Sequence, residues 1–336
     1  MNEAPAVVLL AGGRGARFWP RSRRSHPKQC LSLQGSGSLI QQAFRRAEML
    51  TAPERILVIT GPDMRSAIAA QLPSLPAENL IVEPQPRNTA PAMGLAAALV
   101  VRRFGTACVL CALPADHLVD HPQRLTASLR RAVHLAADHP RAIVTVGIQP
   151  SRPETGYGYI ELGQALDEDH DAFAVQQFKE KPDRQTAQGY IDAGRFLWNA
   201  GMFIAHAGGL LQNFAAHLPR TATALHAIVA DPRQLDGVWG QTDATSFDYG
   251  ILERAQTLLV VQSDPGWSDV GSWDRAAELL AQVGDNRTDA KTLIAINARN
   301  NAVSVSGTGR AVALVGVEDL IVVDTEDALL ILRRGS

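Results

Sequence analysis

A glycine-rich turn near the start of the chain combines the residue types that hold a triphosphate. An apolar run at residues 7–11 is typical of a buried strand and leads directly into this turn. Glycine lets the backbone approach a ligand closely and leaves N–H groups free to face phosphate oxygens. The turn and the segment after it contain three glycines and three cations, namely Gly12, Gly13, Gly15, Arg14, Arg17 and Lys28. This combination predicts a nucleoside triphosphate site.

Two familiar phosphate-binding motifs do not match this turn. The sequence contains no Gly-x-x-x-x-Gly-Lys-Ser/Thr string, which excludes a Walker A loop. The dinucleotide pattern Gly-x-Gly-x-x-Gly also fails, because Phe18 stands where its third glycine would be. For Gly12 and Gly13 alone, an ordinary strand-to-helix turn with solvated arginines remains the alternative.

Two aspartates are candidates for binding Mg²⁺. Asp116 follows the apolar run at residues 108–113, so in an open α/β sheet it would lie at the same edge as the glycine-rich turn. Asp269 lies in a loop rich in glycine and tryptophan. Mg²⁺ prefers hard oxygen ligands and is commonly shared between one or two carboxylates and substrate phosphates. The alternatives are a loop-capping role for Asp116 and a helix-capping role for Asp269. We expect the neighbouring His117 to be structural.

Two further segments could hold a sugar phosphate. The stretch at residues 155–159 alternates two glycines with two tyrosines, so backbone can approach a ligand there. Glu180 and Lys181 end a strand-like run, where the carboxylate could accept from sugar hydroxyls and the ammonium could neutralise a phosphate. A solvated charged turn is the alternative. Asn199 adds an amide in a tight segment with Gly201.

Composition limits the classes of partner. The 336 residues carry a net charge of −2 and are 46% hydrophobic, so the overall charge favours neither nucleic acid nor an anionic membrane. No apolar run approaches the ~20 residues of a membrane span, and no signal peptide is evident. Three cysteines make no disulfide framework, and the Cys108/Cys111 pair lies in a strand-like run. We expect a cytoplasmic protein.

Apolar runs alternate with helical stretches through the first half of the chain. We predict strands at 6–10, 56–60, 80–82, 108–113 and 142–147, and helices at 38–50, 64–71, 90–104 and 124–137, with Thr89 capping the third helix. This order predicts an α/β fold with a mainly parallel sheet covered on both faces. Antiparallel strands near 156–160 and 174–178 and helices at 183–193 and 208–230 follow. Short strands beyond residue 284 predict a small β-rich module, giving domains at 1–284 and 285–336.

Several strings together resemble those of the mannose-1-phosphate guanylyltransferases, a branch of the sugar-nucleotidyltransferase superfamily. They run in order along nearly the whole chain: LLAGGRGARFWP, HPKQCL, PQPRNTAPA, LPADH, PETGYGYIE, FKEKPD, FLWNAGMF, FDYGILE and WSDVGSW. The resemblance implies a Rossmann-like, mixed and mainly parallel, GT-A-like nucleotidyltransferase domain with a small β-helix-like C-terminal domain. It also implies a homodimer of the short monofunctional type. Arg14 replaces a usual Ser and Cys30 a usual Phe.

The resemblance also implies roles for individual residues. Nucleotide contacts would be Leu10, Ala11, Gly12, Gly13, Gly15, Arg17, Lys28, Arg87, Asn88, Thr89 and Asp116. Sugar-phosphate contacts would be Gly158, Glu180, Lys181, Asn199 and Gly201. Mg²⁺ would bind Asp116 and Asp269. The expected catalytic residues are Arg17, Lys28, Asp116, Lys181 and Asp269.

The expected reaction is the transfer of GMP from GTP to α-D-mannose 1-phosphate, giving GDP-mannose and pyrophosphate. One alternative keeps this chemistry on a heptose or glucose 1-phosphate. Another is a catalytically silent regulatory subunit, which is disfavoured because both aspartates and both lysines are present. A glycosyltransferase is less favoured still, because the Asp-x-Asp string at 167–169 lies in a polar loop with no strand before it.

Overall fold

The computed structural model describes residues 4–13, 15–33, 35–167, 171–307 and 309–335, so Arg14 and most of the 167–169 string lie outside the described residues. Within these ranges the strands are β1 (Ala6–Ala11), β2 (Ile56–Thr60), β3 (Leu80–Val82), β4 (Val109–Pro114), β5 (Leu118–Val119), β6 (Ile143–Ile148), β7 (Gly158–Ala165), β8 (Ala172–Glu180), β9 (Phe196–His206), β10 (Leu258–Ser263), β11 (Trp267–Ser268), β12 (Ala281–Val283), β13 (Asn286–Thr288), β14 (Leu293–Ile296), β15 (Ala302–Val305), β16 (Val312–Val315), β17 (Leu320–Asp324) and β18 (Leu329–Arg333).

Ten α-helices accompany these strands in the described part of the chain. They are α1 (Leu39–Glu48), α2 (Arg65–Gln71), α3 (Thr89–Phe104), α4 (Pro122–Asp138), α5 (Arg184–Ala193), α6 (Ala207–His217), α7 (Pro219–Ala230), α8 (Leu235–Trp239), α9 (Phe247–Gly250) and α10 (Trp273–Glu278). None of the described helices is both long and apolar enough to cross a membrane.

A nine-stranded mixed sheet forms the centre of the larger unit, in the order β3-β2-β1-β4-β9-β6-β10-β8-β7. The pairs β1–β2, β1–β4, β2–β3 and β6–β10 are parallel, as the continuous apolar runs predict. Val7 and Leu9 of β1 face one core while Ala6 and Val8 face the other, because successive side chains of a strand point to opposite faces. The sheet is therefore covered on both faces, and the α/β prediction is confirmed.

Helices from different parts of the chain cover the two faces. Residues of α1, α2 and α4 pack into one core, and residues of α3, α6 and α7 pack into the other. The prediction of one helix over 208–230 is wrong, because the chain turns at Leu218 and restarts at Pro219, whose ring suits the first turn of a new helix. The predicted cap of α3 is also wrong. Asn88, not Thr89, caps that helix, and its side chain accepts from the Thr89 N–H at 2.8 Å.

The 11-residue strand β9 was not predicted. It lies between β4 and β6, runs antiparallel to both, and also pairs with β7. A register shift between β6 and β9 occurs between Thr145 and Gly147, opposite the segment that carries Asn199 and Gly201. The irregular part of this central strand thus contains two of the predicted sugar-phosphate residues.

The C-terminal module consists of short stacked strands. β13, β15 and β17 pair in parallel, as do β14 and β16, and the pairs Ala302–Ile321 and Leu293–Val312 are both 19 residues apart in the chain. This arrangement agrees with the small, β-rich and β-helix-like domain expected at the C-terminus. Ile321 and Val323 pack into a core with Phe18 and Trp273, whose ring centroids are 5.3 Å apart. The module therefore rests on the segment that follows the glycine-rich turn.

Candidate active site

The glycine-rich turn and Lys28 form one packed unit. Gly15 has a φ of 60°, and a Cβ at this position would lie 2.3 Å from the Cβ of Lys28. Only glycine therefore fits the turn where it passes Lys28, since a side chain would be strained in φ and would clash. The Gln29 side chain donates to the Gly13 carbonyl at 2.7 Å and fixes the other side of the turn. The turn thus depends on the segment that carries Lys28.

Lys28 connects the two predicted metal ligands. Its side chain is almost fully buried, and its ammonium donates to Oδ2 of Asp116 at 2.7 Å and to the backbone carbonyl of Asp269 at 2.8 Å. Burial would raise the pKa of Asp116, but the Lys28 ammonium beside it lowers the pKa below its usual value. Asp116 is therefore ionised at neutral pH. The structure brings together three residues that are far apart in the sequence.

An aromatic network surrounds the two aspartates. The Tyr157 hydroxyl donates to Oδ1 of Asp269, and the Trp267 indole donates to Nδ1 of His117 at 3.1 Å. Burial lowers the pKa of His117 to about 4, so this imidazole is neutral at pH 7. With Nδ1 accepting, its proton lies on Nε2, which is 4.0 Å from Oδ1 of Asp116. His117 is thus a neutral, buried neighbour of Asp116, and its structural role stays a prediction.

A cavity of about 470 Å³ opens beside this network at the carboxyl ends of the parallel strands. Six predicted nucleotide residues and one sugar-phosphate residue line it: Leu10, Gly12, Gly13, Asn88, Thr89, Asp116 and Gly201. Apolar side chains, including Ile59 and Met93, form another part of the wall. The cavity therefore adjoins both the glycine-rich turn and the predicted metal ligand Asp116.

The other predicted nucleotide residues lie away from the cavity wall. Ala11 is buried in β1, and its carbonyl accepts from the Thr60 hydroxyl at 3.1 Å. The Arg87 guanidinium donates to the carbonyls of Gly240 and Thr242, so it holds a neighbouring loop. Arg17 is exposed in the short turn after Gly15 and forms no hydrogen bond or ion pair with the described part of the chain.

The predicted sugar-phosphate residues form a second cluster. Gly158 pairs with Glu180 across β7 and β8, and a Cβ on Gly158 would lie 2.7 Å from Oε2 of Glu180. The Lys181 ammonium lies 2.6 Å from Oε1 of the same carboxylate. Lys181 has a φ of 47°, a left-handed conformation that is uncommon outside glycine and is often found at functional sites. Glu180 is buried while Lys181 is half-exposed, so the ammonium is the accessible part of the pair.

Asn199 extends this cluster toward the cavity. Its Oδ1 accepts from the Thr145 hydroxyl at 2.9 Å and from the Gly201 N–H at 3.1 Å. Its Nδ2 donates to Oδ1 of Asp248 at 3.3 Å. Asp248 lines the cavity, so one chain of contacts leads from β6 through Asn199 to the cavity wall.

Comparison with known proteins places this geometry in a family. Residues 6–286 match the nucleotidyl transferase family, and residues 291–336 match the MannoseP isomerase/GMP-like beta-helix domain. The mannose-1-phosphate guanylyltransferase of Escherichia coli (strain K12) is 38% identical, over 98% of this chain and 70% of the relative. This chain belongs to the mannose-1-phosphate guanylyltransferase family. Xanthan biosynthesis protein XanB of Xanthomonas campestris pv. campestris is 36% identical, over 97% of this chain and 70% of that protein.

A solved structure agrees with this family over both units. A protein named mannose-1-phosphate geranyltransferase from Thermus thermophilus superposes with a TM-score of 0.87 at 30% identity, covering 98% of this chain and 95% of that one. The resemblance to mannose-1-phosphate guanylyltransferases is thereby confirmed, as is the combination of a mixed-sheet nucleotidyltransferase domain with a β-rich module. The chain is a nucleotidyltransferase.

Two acidic residues of this guanylyltransferase family member were not selected from the sequence. Asp248 lies in α9, and its pKa is raised to about 6. Burial is the main cause of this rise, and the nearby negative charge of Glu180 is the second. Glu83 directly follows β3 and lines the cavity beside Gly12. Glu83 could have been found from the sequence, because it lies at the carboxyl end of a predicted parallel strand. The same criterion selected Asp116. Asp248 carried no comparable pattern.

Asp116 and Asp269 suit Mg²⁺ by the chemistry of their donors. Both offer hard carboxylate oxygens, and one buried ammonium contacts the carboxylate of Asp116 and the backbone carbonyl of Asp269, which brings the two residues to the same place. Mg²⁺ takes six ligands, and these two residues supply fewer than six. Positions therefore remain for phosphate oxygens and water. The two residues therefore fit a metal that is shared with a substrate.

Proposed function

We propose that the protein transfers GMP from GTP to α-D-mannose 1-phosphate, forming GDP-mannose and releasing pyrophosphate. A phosphate oxygen of the sugar phosphate attacks the α-phosphorus of GTP, and the bond from that phosphorus to the departing pyrophosphate oxygen breaks. No covalent enzyme intermediate and no proton transfer are required. The observation that carries the proposal is the bridge that Lys28 makes between Asp116 and Asp269 at the edge of the cavity.

The chain's own residues would act by positioning and by charge neutralisation, because both reactants are anions. The backbone of Gly12 and Gly13 would face the triphosphate, with Lys28 and Arg17 supplying positive charge toward the pyrophosphate. On the other side, Lys181 would hold the incoming phosphate, while Glu180 and Asn199 would orient the sugar.

Asp116 and Asp269 are the residues that we propose to hold Mg²⁺. When bound, the ion would supply Lewis-acid neutralisation of the phosphate charge. Two observations support this assignment: Asp116 is ionised, as a carboxylate that binds a metal must be, and the Tyr157 hydroxyl orients the Asp269 carboxylate.

Three properties of the whole protein belong to the same proposal. We propose a cytoplasmic location, which is supported by three buried cysteines that form no disulfide. We propose a homodimer, which is supported by apolar side chains exposed on the C-terminal module at Ile294, Ile296 and Val315. We propose a domain boundary at residues 284/285. Light scattering tests the dimer, and limited proteolysis tests the boundary.

Pyrophosphate release is the direct test of the reaction. GTP, ATP, UTP and dTTP are each combined with mannose, glucose and heptose 1-phosphates in the presence of Mg²⁺. We expect GTP with mannose 1-phosphate to give the highest kcat/KM. Preference for another sugar phosphate would leave the chemistry intact but change the substrate. Absence of turnover with every pair, together with binding of GDP-mannose, would favour a regulatory subunit.

A further inference from the structure

The stretch of chain around Lys28 is held as a loop by one guanidinium. Lys28 lies between Arg21 and Ser32, and Nη2 of Arg21 donates to the Ser32 carbonyl at 3.5 Å. Within this Lys28 loop, residues 21–32, the backbones of Arg23 and His26 exchange two hydrogen bonds. The position of Lys28 therefore depends on how this loop is held.

The same guanidinium ties the loop to the C-terminal module. Nη1 of Arg21 donates to the Ser304 hydroxyl at 3.0 Å and lies 3.4 Å from Oδ2 of Asp289. The Asp289 carboxylate is itself fixed, because it accepts from the Ser304 hydroxyl at 3.0 Å and from the Val305 N–H at 2.6 Å. The Arg21 side chain is 17% exposed, so water screens this contact less than it would screen a surface ion pair. The module thus offers the loop an acceptor in a fixed orientation.

Apolar contacts join the module to the chain on both sides of Lys28. Phe18, before the loop, and Leu31, inside it, are buried in one core with Ile321 and Val323 of the module. The Lys28 ammonium lies 5.5 Å from the centroid of the Phe18 ring. The surroundings of Lys28 therefore include residues that the module helps to pack.

The geometry points to Arg21 as a positioning residue for Lys28, through which the C-terminal module takes part in guanylyl transfer. This inference rests on the proposed function, in which the Lys28 ammonium neutralises phosphate charge. Such a charge is effective when it is held in place before the reaction begins. Without Arg21 the loop would lose its attachment to Asp289 and Ser304, and a displacement of about 1 Å in a site can cost about a hundredfold in rate. Arg21 would act only through Lys28.

A double-mutant cycle between Arg21→Met and Lys28→Met tests this role. Methionine keeps much of the apolar stem of arginine but removes the charge and every donor. We expect Arg21→Met to lower kcat/KM for GTP about tenfold or more, with KM for the sugar phosphate little changed. In the Lys28→Met background the same substitution should cost less than about twofold, because the cation that Arg21 positions is already absent. A side chain that only stabilises the fold would cause the same loss in both backgrounds.

Three further variants define the contact. Asp289→Asn weakens it from the side of the module and should reproduce the loss, and combining it with Arg21→Met should add little. Arg21→Lys keeps the charge without the planar fork, so it should recover only part of the activity. Arg299→Met is the matched control, since it removes a guanidinium that pairs with Glu318 within the module, and kcat/KM should stay within about twofold of wild type. Thermal unfolding checks that each variant is folded.

The outcomes separate this inference from the proposed function. Equal losses from Arg21→Met in the two Lys28 backgrounds would overturn the inference and leave the reaction intact. Absence of turnover by wild-type protein would overturn the proposed function, and the cycle would then be measured on the Kd for GTP with Mg²⁺ by equilibrium dialysis. Additive effects on that Kd would overturn the inference as well. If Arg21→Met does not fold, Asp289→Asn in the two Lys28 backgrounds decides in the same way.

Discussion

The Lys28 ammonium and the Asp116 carboxylate form a partly buried ion pair with Nζ 2.7 Å from Oδ2. The same ammonium reaches the Asp269 backbone carbonyl, so the pair joins the segment after the glycine-rich turn to the loops after β4 and β11. Because Gly15 packs on Lys28, the turn, the cation and both acids are coupled through one side chain. This coupling determines how several substitutions should behave.

Replacing Lys28 by Met should lower kcat/KM by about 10²–10³-fold, because a preorganised positive charge next to the reacting phosphates is lost. The pKa of Asp116 should rise, since its lowering depends on Lys28. Pyrophosphate release measures the first effect, and NMR titration of the Asp116 carboxyl measures the second. Activity within about threefold of wild type would contradict the assigned role.

Asp269→Asn should abolish turnover while the protein keeps its fold, because the amide loses the negative charge that a metal requires. Circular dichroism and thermal unfolding check the fold, and formation of GDP-mannose checks activity. Near-normal product formation would exclude Asp269 as a metal ligand. Tyr157→Phe is the matched comparison, since it removes only the hydroxyl that donates to Asp269, and its loss should be smaller, about tenfold.

Lys181→Ala should chiefly raise KM for the sugar phosphate, because its half-exposed ammonium is the accessible part of the pair with Glu180. We expect an increase of about tenfold to a hundredfold, with KM for GTP little changed. Initial rates at varied concentrations of each substrate separate the two. Lys179→Ala, two residues earlier and exposed, should leave both constants near wild type. If only KM for GTP changed, the assignment of Lys181 to the sugar-phosphate part of the site would be wrong.

Gly15→Ala should destabilise the protein by about 1–3 kcal/mol, because a methyl group would lie 2.3 Å from Lys28 Cβ in a residue with a φ of 60°. Gly13→Ala is the control for stability, since its nearest neighbour would be 3.8 Å away. Urea unfolding compares the two variants. Equal stability would mean that the turn does not depend on this contact.

The free energy of unfolding should depend on pH in a way that is due to Glu83. Burial raises its pKa from 4.5 to about 7, so the protonated carboxyl is favoured in the folded protein. The contribution of Glu83 to the free energy of unfolding is complete below pH 4.5 and is lost as the pH rises through about 7. The total loss is on the order of 2–3 kcal/mol. Glu83→Gln should remove this loss and unfold at a higher temperature than wild type at pH 8. Thermal unfolding at pH 5 and pH 8 measures the difference, and identical pH profiles would contradict it.

Most of the first half of the fold could be predicted from the sequence, because buried parallel strands and the helices between them have distinct periodicities. Strand β9 could not be predicted in this way. It is a central antiparallel strand that contains Asn199 and Gly201, and its apolar and polar residues do not alternate regularly. The break at Leu218 was signalled by Pro219, but apolar residues on both sides obscured it. In each case tertiary neighbours, rather than local preference, decided the outcome.

The candidate site was predictable where a residue follows a strand or a glycine-rich turn. That rule located Asp116 and Lys28, whose contact the structure then revealed. It did not locate Asp248, which reaches the cavity from a four-residue helix far along the chain. Arg87 had the charge expected of a ligand-binding residue, yet its guanidinium holds the loop at residues 240–242. Side-chain direction cannot be read from residue type alone.

The place of β9 in the sheet has a consequence for the order in which the chain folds. β4 and β6 are both made before β9, yet neither can be covered on its inner edge until residues 196–206 have left the ribosome. Two unpaired edges therefore persist through much of synthesis, and such edges are templates for aggregation. A nascent chain that stalls before residue 196 should depend on chaperones, and the sheet can close fully only after β10, which pairs with both β6 and β8, has also been made.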